Sequence, residues 1–465
     1  MEKLNRRLIV IAVMMVLGGA AAAKAQYSGG SGTAGEPYKI GTAADWVYLT
    51  GHSGDWDKYF VMTADVDLAG VTKLAPVARD TDPNRVDFQG TKFTGIFDGS
   101  RHVIRHAVIN QPGYDFVGLF GYVGKGGKIS NLGVEEVKIT GWYHVGGLVG
   151  QIYPGTITSC YTTGTVTGRD SVGGLIGSNI EGTITSCYTT GAVTGRGSVG
   201  GLVGHTIGGT FTTCYTTGMV KGTGKYIGGL VGGSIQVTIN TCYTTGAVSG
   251  TNSVGGLAGS IGEDGMITAC YATGSVSGSN DVGGLMGICQ PVGGGRFCTT
   301  TSCFAAGAVS GTDRVGGLVG SNVYGTIKSC YATGAVSGKN FEVGGLVGKN
   351  NQGTVFYCYA TGKTTGGYAG GFCGTKINLG VTNKKMGLYV DSGNFWDMDT
   401  AQTTTSAMGT GKTTVQMKTK GTFTEAGWDL ENVWRMGADG ADYPRLRSLT
   451  EEGAQQERRL GGPSR

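Results

Sequence analysis

Between residues 145 and 374 the chain repeats nearly the same phrase nine times, and no other feature limits its fold as much. Each copy opens with a block like Val145-Gly146-Gly147-Leu148-Val149-Gly150. It continues through a segment like Thr156-Ile157-Thr158-Ser159-Cys160-Tyr161 and closes on Thr-Gly-x-Val-x-Gly. The opening glycines stand at Gly146, Gly173, Gly200, Gly228, Gly255, Gly283, Gly316, Gly344 and Gly370, so all steps but one, of 33 residues, are 26 to 28 residues long. A unit of this length cannot bury its own apolar face, so the copies must stack as a solenoid.

Within residues 145–168 three short segments rich in Val, Ile, Thr and Tyr alternate with Gly-containing corners, and none has helical periodicity. Three strands per coil describe an all-β, parallel β-helix of about ten coils, right-handed by the rule for parallel crossovers. At about 4.8 Å per coil the rod is roughly 45–50 Å long. A propeller would need longer four-stranded repeats, and a leucine-rich repeat would need its Asn ladder.

The repeat also sorts side chains into columns. Ile157, Ile184, Phe211, Ile239 and their successors form one apolar column, and Val166, Val193, Val220 and Val248 open another. Eight cysteines (Cys160, Cys187, Cys214, Cys242, Cys270, Cys303, Cys330 and Cys358) share one position. Side chains stacked about 4.8 Å apart and pointing the same way are poorly aimed for disulfides, so these read as a buried thiol ladder. Cys289 and Cys298 break the period inside the 33-residue rung and are candidates for a disulfide clip, while Cys373 reads as packing. If Cys160 points inward, alternation turns Thr162 in and Tyr161 and Thr163 out. The outward result is a stripe of Tyr161, Tyr188, Tyr215, Tyr243, Tyr271, Phe304, Tyr331 and Tyr359 beside a Thr column.

The flanks read as seals for the open ends of the solenoid. Residues 1–25 read as a signal peptide, with Lys3, Arg6 and Arg7 before an apolar core and Ala23-Lys24-Ala25 as a cleavage site. Its removal takes away four Lys/Arg and one Glu, and the net charge falls from +5 to +2. So small and dispersed a charge argues against a nucleic-acid partner. Residues 26–112 form an N-terminal cap and the entry to the solenoid, with a helix at Ala43–Leu49, capped by Thr42, a strand at Tyr59–Leu68, and Phe97 to Ile104 leading into the first coil. Residues 113–375 are the repeats, with Val117-Gly118-Leu119-Phe120-Gly121 as an imperfect first block. Residues 376–449, carrying Trp396, Trp428, Trp434 and Tyr443, plug the far end, and residues 450–465 are a loose tail.

The repeated Gly-Gly-Leu-Val-Gly with Cys-Tyr-x-Thr-Gly-x-Val resembles the GLUG-motif repeat of bacterial exported proteins, over about residues 117–374. The stretch Gly30-Ser31-Gly32-Thr33 to Pro37-Tyr38-Lys39-Ile40 and the segment Asn394-Phe395-Trp396-Asp397 look like the usual start and end of such proteins. The resemblance implies a secreted or surface location and a β-helix in adhesin-like proteins. It carries no catalytic residues with it.

Three functional readings follow. The outward Tyr stripe could stack on an extended polysaccharide, with avidity from repetition, or it could be a ladder that only stabilises the sheet. The column Val149, Ile176, Val203, Val231, Ala258, Met286, Val319 and Val347 either faces out as an apolar strip for a protein partner or is folded inward by the glycine pair. Enzyme chemistry of the lyase or glycosidase kind would need localised carboxylates. Asp170, Asp281, Asp313 and Glu342 sit at turns, where turn chemistry explains them. Asp65, Asp67 and Asp98 with His102 form the best remaining cluster, and His144 and His205 have no evident partner. No catalytic residue, cofactor or metal site is therefore assigned. The expectation is an exported surface or extracellular module, adhesin-like or structural, with polysaccharide or surface proteins as partners.

Overall fold

The computed structural model describes residues 27–85, 87–291, 297–377 and 391–448; the expected signal peptide and tail lie outside them. These residues form a parallel β-solenoid in which each coil passes through four stacked sheets, one more than the three expected. In one coil the strands are Tyr143–Gly146, Val149–Ile152, Thr156–Thr158 and Tyr161–Thr167. Each pairs in register with its copy one coil away, as in Val149 with Ile176, Ile157 with Ile184 and Tyr161 with Tyr188.

The extra corner comes from the glycine pair. A Cβ on Gly146 would lie 2.1 Å from the Val149 carbonyl oxygen and 2.7 Å from the amide nitrogen of Gly177 on the next coil, so only glycine fits. The bend there turns both Leu148 and Val149 inward, and every member of the Val149 column has no exposed surface. That removes the apolar strip as a docking surface. The Ile157 and Val166 columns fill the rest of the interior, giving one continuous core.

The cysteines do more than pack. The residue before each of the eight, from Ser159 to Tyr357, has φ between +51° and +57°. This left-handed step turns the corner, and it leaves the cysteine amide aimed along the rod. The Cys160 amide donates to Sγ of Cys187 at 3.5 Å, and the same bond runs from Cys214 to Cys242, Cys242 to Cys270, Cys270 to Cys303, Cys303 to Cys330 and Cys330 to Cys358 at 3.3–3.4 Å. Each thiol in turn donates across its own corner, as Cys242 does to the Asn240 carbonyl at 3.2 Å. At the end of the ladder the Cys358 amide finds Oδ1 of Asn394 at 3.1 Å instead of another sulfur. The ladder cysteines and Cys373 are free thiols, and Cys289 is joined to Cys298 across the long coil.

The N-terminal region is part of the rod. Tyr38–Ile40, Tyr59–Met62 and Ile96–Asp98 are the first three strands of the same 12-stranded sheet that holds Ile157. The entry to the solenoid thus reaches back to Tyr38, and the expected strand at Tyr59–Leu68 is two strands, Tyr59–Met62 and Val66–Asp67, on different sheets. The helix Ala43–Gly51 carries a capping box between Thr42 and Asp45. Its Trp46 meets Phe97 and Phe120 edge to face at 5.8 and 5.7 Å, closing the core from that end.

Cys242→Ala should lower stability by roughly 1–3 kcal/mol, because it opens a hole and strips the corner amide of Cys214 of its acceptor. Cys242→Ser should lose less, since a hydroxyl accepts and donates in the same places. Denaturant midpoints of the two variants would decide this, and equal midpoints would show that the corner bonds contribute nothing.

Candidate functional site

The Tyr stripe faces outward, as alternation requires, but its rings are spent on one another. From Tyr161 to Tyr359 successive centroids are 4.7 to 5.0 Å apart, with planes 1° to 10° from parallel. Faces in such a column meet along the rod axis, so only ring edges reach outward. A sugar stacks on a face, and this geometry offers none.

Half of the stripe is also covered. Tyr271, Phe304, Tyr331 and Tyr359 are at most 3% exposed, under Phe423, Trp428, Trp434 and Leu446 of the C-terminal region. The Tyr359 hydroxyl donates to the Pro444 carbonyl at 2.7 Å. The C-terminal region therefore does two things, where the sequence suggested one. Phe395–Asp397 extends the sheet past Tyr359 and seals the end, and the following segment folds back over the last four rungs. Its anchor is Asp397, fully buried, which caps the short helix Met398–Ala401 and accepts from Thr414 and Tyr443 at 2.7 and 2.6 Å. For these four residues burial leaves no surface for a polysaccharide and favours the ladder reading; Tyr161, Tyr188, Tyr215 and Tyr243 stay half-buried.

At its other end the stripe runs into an ionic ladder. Tyr161 donates to Glu135 at 2.6 Å, Arg105 bridges Glu135 and Asp65 at 3.0 Å each, and Asp65 also meets His102 at 3.2 Å. His106 bridges Asp67 and Glu136 at 2.8 and 3.2 Å. The structure thus joins Asp65 with His102 but puts Asp67 with His106. Asp98 stands apart, in a turn that takes Ser100 N and Asn131 Nδ2. Hydrogen bonds from the Val103 amide, His102 and Arg105 hold Asp65 below the usual carboxylate range, and bonds from Tyr161 and Arg105 do the same for Glu135. Carboxylates held ionised in this way suit a salt ladder and not proton donation.

Of the rung acids, Asp281 takes Arg314 at 2.6 Å, Glu342 takes Lys349 at 2.9 Å and Asp170 takes Arg169 at 3.4 Å, while Asp313 accepts from Asn340 and the Phe341 amide at 3.4 Å each. His144 lies against Phe116 with ring centroids 4.9 Å apart, and burial together with the neighbouring His205 lowers its pKa to about 4. Among the described residues no group of three or more His, Cys, Asp or Glu is placed to hold a metal, and no helix is long and apolar enough to cross a membrane.

One hollow was not foreseen. Pro83, Asn84, Arg85, Pro112, Asp115 and Trp142 line a space of about 290 Å³ on the side of the first complete coils. Asp115 accepts from the Tyr143 amide at 3.1 Å, and its pKa is raised by burial and by the nearby charge of Asp80. The sequence carries one signal for it, namely that Trp142 stands at a corner where later coils carry Arg169 and Arg196.

The family model described as the GLUG motif matches residues 143–167, 250–277, 311–337 and 339–365. Halomucin of Haloquadratum walsbyi is 34% identical over 147 residues, which are 30% of this chain and 2% of that protein. A protein of Evansella cellulosilytica named "Putative Gly-rich membrane protein" is 31% identical over 114 residues, 24% of this chain and 13% of that protein. The chain thus spans a small part of the curated relatives it matches. A solved chain described as "a putative immunoglobulin A1 protease from Bacteroides ovatus" is covered to 96%, with 91% of this chain, at 18% identity and a TM-score of 0.39.

Deleting residues 413–448 should uncover the last four aromatic rungs. Dye binding to exposed apolar surface and sedimentation should then show a sticky, self-associating rod, and an unchanged monomer would refute the covering role. A second expectation concerns acid. The unfolded chain protonates His144 near the ordinary 6.5, while the folded chain refuses the proton until about 4. Stability therefore falls as pH drops through that window, and His144→Gln should remove roughly 2–3 kcal/mol of the difference between pH 7 and pH 4.5.

Proposed function

From a chain whose repeats are GLUG motifs wound into a β-helix, we propose an exported surface or extracellular protein whose role is structural and adhesin-like. The observation that carries this reading is the use of nearly every repeated column for the rod itself. Cysteines bond to cysteines, rings stack on rings, and Asp170, Asp281 and Glu342 pair with bases of their own or the next coil. Such a body is a stiff spacer with both ends closed, suited to holding surfaces apart or presenting a site at a fixed distance. The names of Halomucin and of the Gly-rich membrane protein fit a location at or outside the cell envelope. So does the basic, then apolar, start of the chain. Polysaccharide or other surface proteins are the partners such a module would meet.

The lyase or glycosidase reading has less support. The carboxylates of the N-terminal ladder and of the Asp281 and Glu342 corners are committed to cations. Retaining or inverting chemistry needs one acid free to give up a proton opposite a second carboxylate.

Fractionation of the producing cells, with mass spectrometry of the mature N-terminus, tests the location. The expected result is a chain beginning at Gln26 in the envelope or medium. A full-length chain starting at Met1 in the cytoplasm would overturn it.

A further inference from the structure

We propose that the hollow beside Trp142 binds a neutral sugar ring, a pyranose displayed on a glycan. The proposal leans on the surface reading only for where such a sugar would be met; the site itself stands on geometry.

Trp142 is the anomaly. Of the six tryptophans, Trp46, Trp56, Trp396, Trp428 and Trp434 are at most 5% exposed, while Trp142 is 41% exposed. It is nevertheless held firmly. Its amide donates to the Tyr114 carbonyl at 2.8 Å, and its own carbonyl accepts from Arg169 at 2.8 Å. The Arg169 guanidinium sits 4.6 Å from its ring centroid, and Tyr143 meets it edge-on at 5.9 Å. An indole braced on two sides and open to a cavity has already given up the freedom that binding would cost.

The charges around the hollow select the ligand. Asp115 lies in it, and Asp80 behind, 5% exposed with Oδ2 buried and unbonded, adds negative potential that opposes an anionic guest. Arg85 on the rim and Arg169 on the indole oppose a cationic one. What remains is a neutral ring with an apolar face for Trp142 and hydroxyls for Asp115, Asn84 and Arg85. A pyranose has both: C–H groups on its faces and hydroxyls around its edge. The volume of about 290 Å³ is at the lower end for a small-molecule cleft, enough for one or two rings and not for a long segment.

The position also departs from the repeat. Arg196, Gly224 and their successors continue the Trp142–Arg169 corner by backbone bonds from coil to coil, and none of them is aromatic. A single specialised corner at one end of a rod is a presented site, in contrast to the Tyr stripe.

The test uses the full chain, titrated with glucose, galactose, mannose and N-acetylglucosamine, and read by tryptophan fluorescence and saturation-transfer NMR. Choline and glucuronate serve as cationic and anionic probes. The expected result is saturable, weak binding of at least one neutral sugar. It should weaken about tenfold or more in Trp142→Ala and in Asp115→Ala, and stay unchanged in Tyr215→Phe. Circular dichroism of the variants shows that the fold is kept, which the exposure of Trp142 leads one to expect. No saturable binding of any sugar, equal binding by the folded variants, or a preference for choline or glucuronate would each overturn the proposal. Cell location has no bearing on any of these outcomes, so the surface reading fails or survives separately.

Discussion

Every coil of this rod must lie over the last with matching residues aligned, and the corner before each cysteine is where that alignment is enforced. A left-handed residue there costs on the order of 1 kcal/mol and rotates an amide out of its own strand. That amide has one place to go, the sulfur one coil further on. A slip of one residue in register would strand the amides, bury threonines where valines sit and break the tyrosine column at once. The thiol ladder is therefore a register device. The same spacing that lets amide meet sulfur sets the rings 4.7–5.0 Å apart.

Perfect repetition has a cost of its own. A column of identical rings leaves its last member with a bare face, and a ladder of amides leaves its last donor without an acceptor. Both ends of the molecule solve these problems with residues outside the repeat. Asn394 takes the final cysteine amide, while Trp428, Trp434 and Tyr443 surround Tyr359. At the other end Tyr161 rests over Gly133, where a Cβ would come within 2.6 Å of its ring, and its hydroxyl passes to Glu135. The ionic ladder of Asp65, Arg105 and Glu135 is thus the polar continuation of the aromatic one.

What was legible in the sequence follows the same division. The period alone specified the solenoid, the inward Cys160, Thr162 and Ile157, and the outward Tyr161, because each rests on alternation and stacking that repeat nine times. The bend at Gly146 and Gly147 was legible as one of two readings, but that it makes a separate fourth corner shows only when the backbone of the next coil is placed against it. The fold-back of residues 413–448 over Tyr331 and Tyr359 escaped as well. A plug and a cover need the same aromatic residues, and only the buried Asp397 sets their direction. Asp115 stands one repeat length before Trp142, but Asp80 and residues 83–85 lie in coils too irregular to align, so the sequence marked the Trp142 corner without showing what else lines the hollow.

A repeat protein that commits its columns to itself can carry specificity only where the repeat is broken. The long coil, with Cys289 joined to Cys298, is one break, and it is closed by a covalent bond. The C-terminal region is another, and it is consumed in covering the rod. The coils around Trp142 are different. Here residues 83–85 and 112–115 line a hollow, and a tryptophan stands where the next two corners carry arginine and stays 41% exposed. Had selection there been for stability alone, a residue that buries well would have been folded in, as Trp46 is a few coils away. The stiffness of the rod then acquires a use, because a weak site fixed at one end of a rigid body keeps its distance and orientation from whatever holds the other.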